Sequence, residues 1–197
     1  MMNKMMFQKK EKQLMKFIQN FKINITEDDM FNLLKIKRRW PHYHPTQNDK
    51  QPTVEVISMY GQKHNYLNDD TGYLDFDKMK SFYDKGFTIL MADVLDLTEE
   101  LRELEKELIA KTGLGNIRGN FYFGNGKPGI HPSFDSHSHG YNVIQKQIYG
   151  TNYWNINDQQ YEIHEQEIIM IPAKSMHEVY KSDGKRLSLT INLGYGD

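Results

Sequence analysis

Helical periodicity early and strand periodicity late predict an α+β domain built on a barrel or sandwich. Three observations carry this reading. Apolar residues recur at helical spacing in the first half, the period changes to two from Asn116 onward, and 197 residues suit one compact domain. Residues 1–115 read as a mixed helical support region and 116–197 as the strand core. No repeat, low-complexity tract or Pro/Gly/Ser-rich linker marks a boundary between them.

Each element has its own signal. Leu14, Phe17, Ile18 and Phe21 share a helical face, and Thr26 with Asp29 resembles a capping box ahead of Met30, Phe31, Leu33 and Leu34. Asp75 can cap a helix with Phe76, Met79 and Phe82 or Tyr83 on one side, ending at Gly86. Thr98 can cap another, striped by Leu97, Leu101, Leu104 and Leu108 and ending at Gly113. Thr53 to Tyr60 and Phe87 to Ala92 read as strands between these helices. Later strand candidates are the alternating run around Asn120 to Phe123, then Tyr141 to Tyr149, Glu167 to Ile171 and Arg186 to Leu193. In the last, Arg186, Ser188, Thr190 and Asn192 share one face, and Leu187, Leu189, Ile191 and Leu193 the other. The polar face can line a ligand cavity inside a small barrel.

Composition narrows the chemistry. With 0 cysteines there is no disulfide framework, thiolate metal site or cysteine nucleophile, so a metal must use His, Asp or Glu. The longest apolar run, near Ile168 to Pro172, is far too short to span a membrane, and Met1 to Lys10 lacks the pattern of a secretory signal. The expected location is cytoplasmic. A net charge of -1 argues against nucleic acid as a partner, although basic residues outnumber acidic ones in the first forty. Lys35 to Trp40, followed by His42 and His44, reads as a solvated helix end and loop.

Five histidines fall in the strand-rich half: His131, His137, His139, His164 and His177. His137 and His139 are separated by one residue, and because strand side chains alternate they are expected to project from the same face, as two metal ligands from one strand must. Asp135 shares that face and is an alternative carboxylate ligand. His177 follows an apolar strand and a proline turn that can return it to the same mouth.

Over residues 87–193 these motifs resemble the double-stranded β-helix (cupin, or jelly-roll) proteins, and among them the JmjC-like iron(II)- and 2-oxoglutarate-dependent oxygenases. His137-Ser138-His139, then Gln147-Ile148-Tyr149-Gly150 and Trp154, is similar to the family stretch H-x-D … Q-x-x-G-x-x-x-W. Ile171-Pro172 followed by His177 is similar to the I-P-x-x-x-x-H that carries the distal ligand. The resemblance implies a double-stranded β-helix with N-terminal and flanking helices, and an iron(II) site at His137, His139 and His177. It also implies 2-oxoglutarate as co-substrate, its far carboxylate held by Arg186 with Ser188. Asn192 matches a family position near the metal-bound end, and Asn120 and Tyr122 could add hydrogen bonds. The chain departs from the pattern twice: His139 stands where the carboxylate is usual, and Asn152 where many such hydroxylases have a basic residue. The implied activity is hydroxylation of a polypeptide side chain or an amino-acid-like molecule. The alternatives are a three-His cupin dioxygenase or isomerase that does not use 2-oxoglutarate, and a non-catalytic cupin binding module. The N-terminal helices could pack against a second copy in a homodimer.

Overall fold

The structure, a computed structural model, describes residues 12–37, 53–57, 64–67, 69, 71–130 and 132–194. Met1 to Lys10, Arg38 to Trp40, His42, His44, His131 and the strand candidate beyond Ile57 up to Tyr60 lie outside the described residues.

Helix α1 covers residues 12–20, α2 Glu27–Lys35, α3 Phe76–Lys85 and α4 Glu99–Thr112. Their ends follow the local chemistry. Thr26 and Asp29 form the reciprocal capping box of α2, Asp75 accepts from the Lys78 amide at the start of α3, and Thr98 from the Leu101 amide at the start of α4. Gly86 and Gly113 end α3 and α4 in the left-handed conformation, at φ 103° and 74°.

Among the described residues eight strands follow in chain order: β1 Thr53–Ile57, β2 His64–Tyr66, β3 Thr88–Ala92, β4 Ile117–Gly124, β5 Asn142–Ile156, β6 Gln159–Ile163, β7 Ile168–Ile171 and β8 His177–Leu193. They pair antiparallel in the order β2-β1-β3-β4-β8-β5-β6, and β7 lies on β5 as well. The strand expected over Tyr141 to Tyr149 runs on to Ile156, and the one expected from Arg186 begins back at His177. Strands β2 and β6 were outside the periodicity reading. The signal for β6 lies in its turn, where Asn157 and Asp158 take φ 47° and 64°, the pair of left-handed residues that a tight hairpin needs.

Alternation then divides the sheet into two environments. Ile117, Phe121 and Phe123 of β4, Ile144 and Ile148 of β5, and Leu187, Leu189 and Ile191 of β8 join one buried core with Ile18, Met30, Met79, Leu104 and Leu108 of the helices. Each such side chain contributes about 1.5–3 kcal/mol on burial. The opposite faces carry polar residues in register. Asn120 pairs with Thr190 and Thr190 with Gln145; Leu90 pairs with Tyr122, Tyr122 with Ser188, and Ser188 with Gln147. These rows form the wall of a cavity.

Candidate functional site

The cavity encloses about 230 Å³, and its lining includes the three histidines, Arg186, Ser188, Asn192, Asn120 and Tyr122. One ring nitrogen from each of His137, His139 and His177 lies within 4.8 Å of the others. The three sit on different supports. His177 opens β8, whereas His137 and His139 lie on an extended segment outside the named strands, tied to β8 by a single bridge. There the His137 amide donates to the His177 carbonyl at 3.1 Å, and the His177 amide to the His137 carbonyl at 2.8 Å. The Lys174 amide holds the carbonyl of His139 at 2.6 Å.

Ring orientation follows from backbone acceptors. Nδ1 of His137 lies 2.7 Å from the Asp135 carbonyl oxygen, and Nδ1 of His177 lies 2.9 Å from that of Ser175. A carbonyl only accepts, so each Nδ1 carries the proton and Nε2 keeps the lone pair that a metal needs. Asp135 meets the His137 ring through its backbone carbonyl, and among the described residues the cluster consists of His137, His139 and His177. Burial pushes His139 down to about 4, helped by His137 and His177, and burial also lowers His177. Neutral imidazoles fit a divalent transition ion, which requires deprotonated nitrogen donors.

Arg186 is 1% exposed. Its Nη1 donates to Asn152 Oδ1 at 3.0 Å, and its Nη2 to Thr88 Oγ1 at 2.7 Å and to the carbonyl of Pro132. All are neutral oxygens, so among the described residues no carboxylate contacts the guanidinium. Burial lowers the guanidinium to about 10, which leaves it charged at neutral pH. Asn152 Nδ2 donates to Gln147 Oε1 at 2.9 Å and to Ser188 Oγ at 2.8 Å, and Ser188 donates to Gln147 at 2.9 Å. Gln147 is fixed in turn by the Tyr149 carbonyl at 2.7 Å. Burial, reinforced by Glu55, pushes the Tyr122 hydroxyl up to about 12, and it remains a protonated donor.

The sequence reading missed three parts of this wall. Thr88 and the Pro132 carbonyl hold Arg186, and Arg118 meets Asp93 in a buried ion pair at 2.8 Å. Arg118 shares the alternating face of Asn120 and Tyr122, and that spacing could have found it. Nothing local in the sequence marks Thr88 or Pro132.

Comparison with known proteins bears on the fold. Residues 128–191 match the family model of the AraC-like ligand binding domain. The structure is similar to that of YcfD, a ribosomal oxygenase from Escherichia coli in complex with cobalt and succinic acid, with a TM-score of 0.58 and 14% identity over 88% of this chain and 45% of that one. A cupin superfamily protein from Desulfitobacterium hafniense matches with a TM-score of 0.34 and 17% identity over 39% of this chain and 66% of that one. For plu4264 protein from Photorhabdus luminescens the TM-score is 0.34 and the identity 22%, over 39% of this chain and 62% of that one. The chain therefore covers less than two thirds of these proteins' own lengths. No curated protein matches it in sequence. The fold is an α+β double-stranded β-helix of the cupin type. Among the described residues no helix is long and apolar enough to cross a membrane.

Proposed function

We propose that the protein is an iron(II)- and 2-oxoglutarate-dependent oxygenase, a hydroxylase of a polypeptide side chain or an amino-acid-like molecule. The observation that supports it is Arg186: a buried cation held by neutral oxygens, in the same cavity as three convergent histidines. An uncompensated buried charge is costly, and an anionic ligand offsets it. A 2-oxo acid with a second carboxylate supplies both a metal-chelating end and an anion for Arg186. The succinic acid and cobalt named with the E. coli oxygenase make a dicarboxylate and a divalent ion the first ligands to test here.

His137, His139 and His177 would hold the metal through neutral ring nitrogens. Iron(II) held there would supply the oxidising chemistry, in which dioxygen hydroxylates a C–H bond while 2-oxoglutarate is converted to succinate and carbon dioxide. The protein's own part is orientation. Asn152, Thr88 and Pro132 fix the guanidinium, Tyr122 offers a protonated hydroxyl, and Asn120 and Asn192 line the intervening wall. Phe134, Tyr141 and Trp154 surround the histidine end and restrict water there.

One observation favours a second reading. The histidine cluster contains no carboxylate, so a three-His centre that acts on a small acid without 2-oxoglutarate would use Arg186 to grip the substrate itself. Anaerobic titration of iron(II)-loaded protein with 2-oxoglutarate separates the two. The oxygenase reading expects a saturable metal-to-ligand charge-transfer band that weakens at least tenfold in affinity in Arg186→Ala, from loss of a charge-assisted hydrogen bond. Iron binding without that band would transfer the assignment to the three-His alternative.

A further inference from the structure

His137 and His177 each have a ring nitrogen anchored to a backbone carbonyl, at 2.7 and 2.9 Å. His139 differs. Among the described residues its ring makes no hydrogen bond, and its neighbour two residues on, Tyr141, lies flat against it instead, with ring centroids 4.9 Å apart and planes 7° from parallel. The other two histidines have aromatic neighbours in looser geometry. Phe134 meets His137 edge-on at 5.8 Å and 84°, and Trp154 is tilted by 34° at 6.2 Å from His177.

We propose that Tyr141 is the positioning residue of His139, and that stacking in place of a hydrogen-bond anchor makes His139 the exchangeable ligand of the three. This rests on the reading of the three histidines as a metal centre. The physical ground is the difference in what each restraint fixes. A carbonyl on Nδ1 sets the tautomer and aims Nε2, and loss of such an outer partner typically costs about 10–100-fold in metal affinity. A parallel stack restrains the plane of the ring but leaves it free to slide and to exchange tautomers, and is worth about 0.5–1.5 kcal/mol, or roughly 2- to 12-fold. His137 and His177 are also cross-braced by two backbone hydrogen bonds to each other, whereas His139 is tied at its carbonyl alone to Lys174. A centre built this way keeps two fixed ligands and one that yields, which frees a position for a chelating acid without releasing the ion.

Cobalt(II) titration of the full chain, followed by isothermal calorimetry and by the visible absorption of the bound ion, tests both halves. His139→Ala is expected to lose about tenfold in affinity, and His137→Ala and His177→Ala about a hundredfold or more. Tyr141→Leu is expected to weaken binding about threefold to tenfold, with Tyr141→Phe close to wild type because the stack needs only the ring. In a His139→Ala background, Tyr141→Leu should have no further effect, since it acts through that histidine. No cobalt binding by the wild type would overturn the metal centre itself. Binding with equal losses for all three histidines, or an equal Tyr141→Leu effect in both backgrounds, would overturn the inference and leave the centre standing. If Tyr141→Leu does not fold, the ranking of the three histidine variants still decides.

Discussion

At the scale of residues, Asn152 determines whether Arg186 remains available to a ligand. It accepts from Nη1 at 3.0 Å as a neutral amide, so the positive charge is oriented and left unneutralised. Asn152→Asp would place a carboxylate at that contact and satisfy the cation internally. We expect this variant to lose carboxylate ligands by about tenfold or more while its ligand-free form changes little in melting temperature, because the new ion pair is offset by loss of the two buried hydrogen bonds that Nδ2 donates to Gln147 and Ser188. Calorimetry with succinate and a thermal melt of the same preparation check the two. A rise in affinity would contradict the role given to the guanidinium. The departure of Asn152 from the basic residue expected there was visible in the sequence, but its partnership with Arg186, 34 positions away, was not. Spacing reports which face a residue occupies; it is silent on which side chain on another strand completes its hydrogen bonds.

At the scale of elements, one carboxylate joins α2 to both α3 and β8. Glu27 accepts from the Tyr83 hydroxyl at 2.6 Å and from Lys185 Nζ. Partial burial pushes its carboxyl up, but hydrogen bonds and charge from Lys185, with Tyr83 and Lys80, outweigh that and hold it below its ordinary 4.5. A lowered folded value means that the contribution is fully present above about 4.5 and is lost as pH falls through the folded value. Glu27→Gln should therefore flatten the acid limb of a stability–pH curve below about 4.5, as read by denaturant titration at several pH values. On β5, Gly150 takes φ 78°, and a Cβ there would land on the carbonyl of Lys185. Gly150→Ala should cost roughly 2–4 kcal/mol, whereas Gly115→Ala, where no atom lies within 4 Å, should stay near neutral. Helix starts and stops were legible because caps are local: Thr26, Asp75, Thr98, Gly86 and Gly113 each act within a few residues of their own amides. Strand extents were less so. The continuation of β5 past Gly150 depends on pairing with β6 and β8, and these partners lie outside any short window.

On the scale of the whole molecule, β5 separates two environments. Gln145 and Gln147 face the cavity, while Lys146 between them turns outward, is 0% exposed, and places Nζ 3.2 Å from the Ile18 carbonyl and 3.4 Å from that of Gln19 at the end of α1. A cation at the carbonyl end of a helix is favourable, and burial lowers the amine from its ordinary value without another cause. Lys146→Met keeps the stem and removes the cap, so amide hydrogen exchange in residues 12–20 should quicken while the strands stay protected. A divalent ion held by the histidines, as proposed, would act on the whole chain through linkage: at a hundredfold excess over its Kd, about 2.7 kcal/mol would be added to folding, a shift expected in a thermal melt and reversed by a chelator. The arrangement of β8 carries a broader consequence. His177 and Arg186 belong to one strand, so under the proposed function the separation of metal and anchor would be fixed by β8 and its pairing with β5, and would set the length of diacid that bridges them. The stretch between them from Tyr180 to Lys185 lies mostly on the surface, and the β5–β8 register already slips nearby, so insertions there are tolerable. Under the proposed function, such insertions would loop outward and leave the cavity unchanged, so the length of acid that fits follows the β4–β8–β5 pairing and not the number of residues between His177 and Arg186.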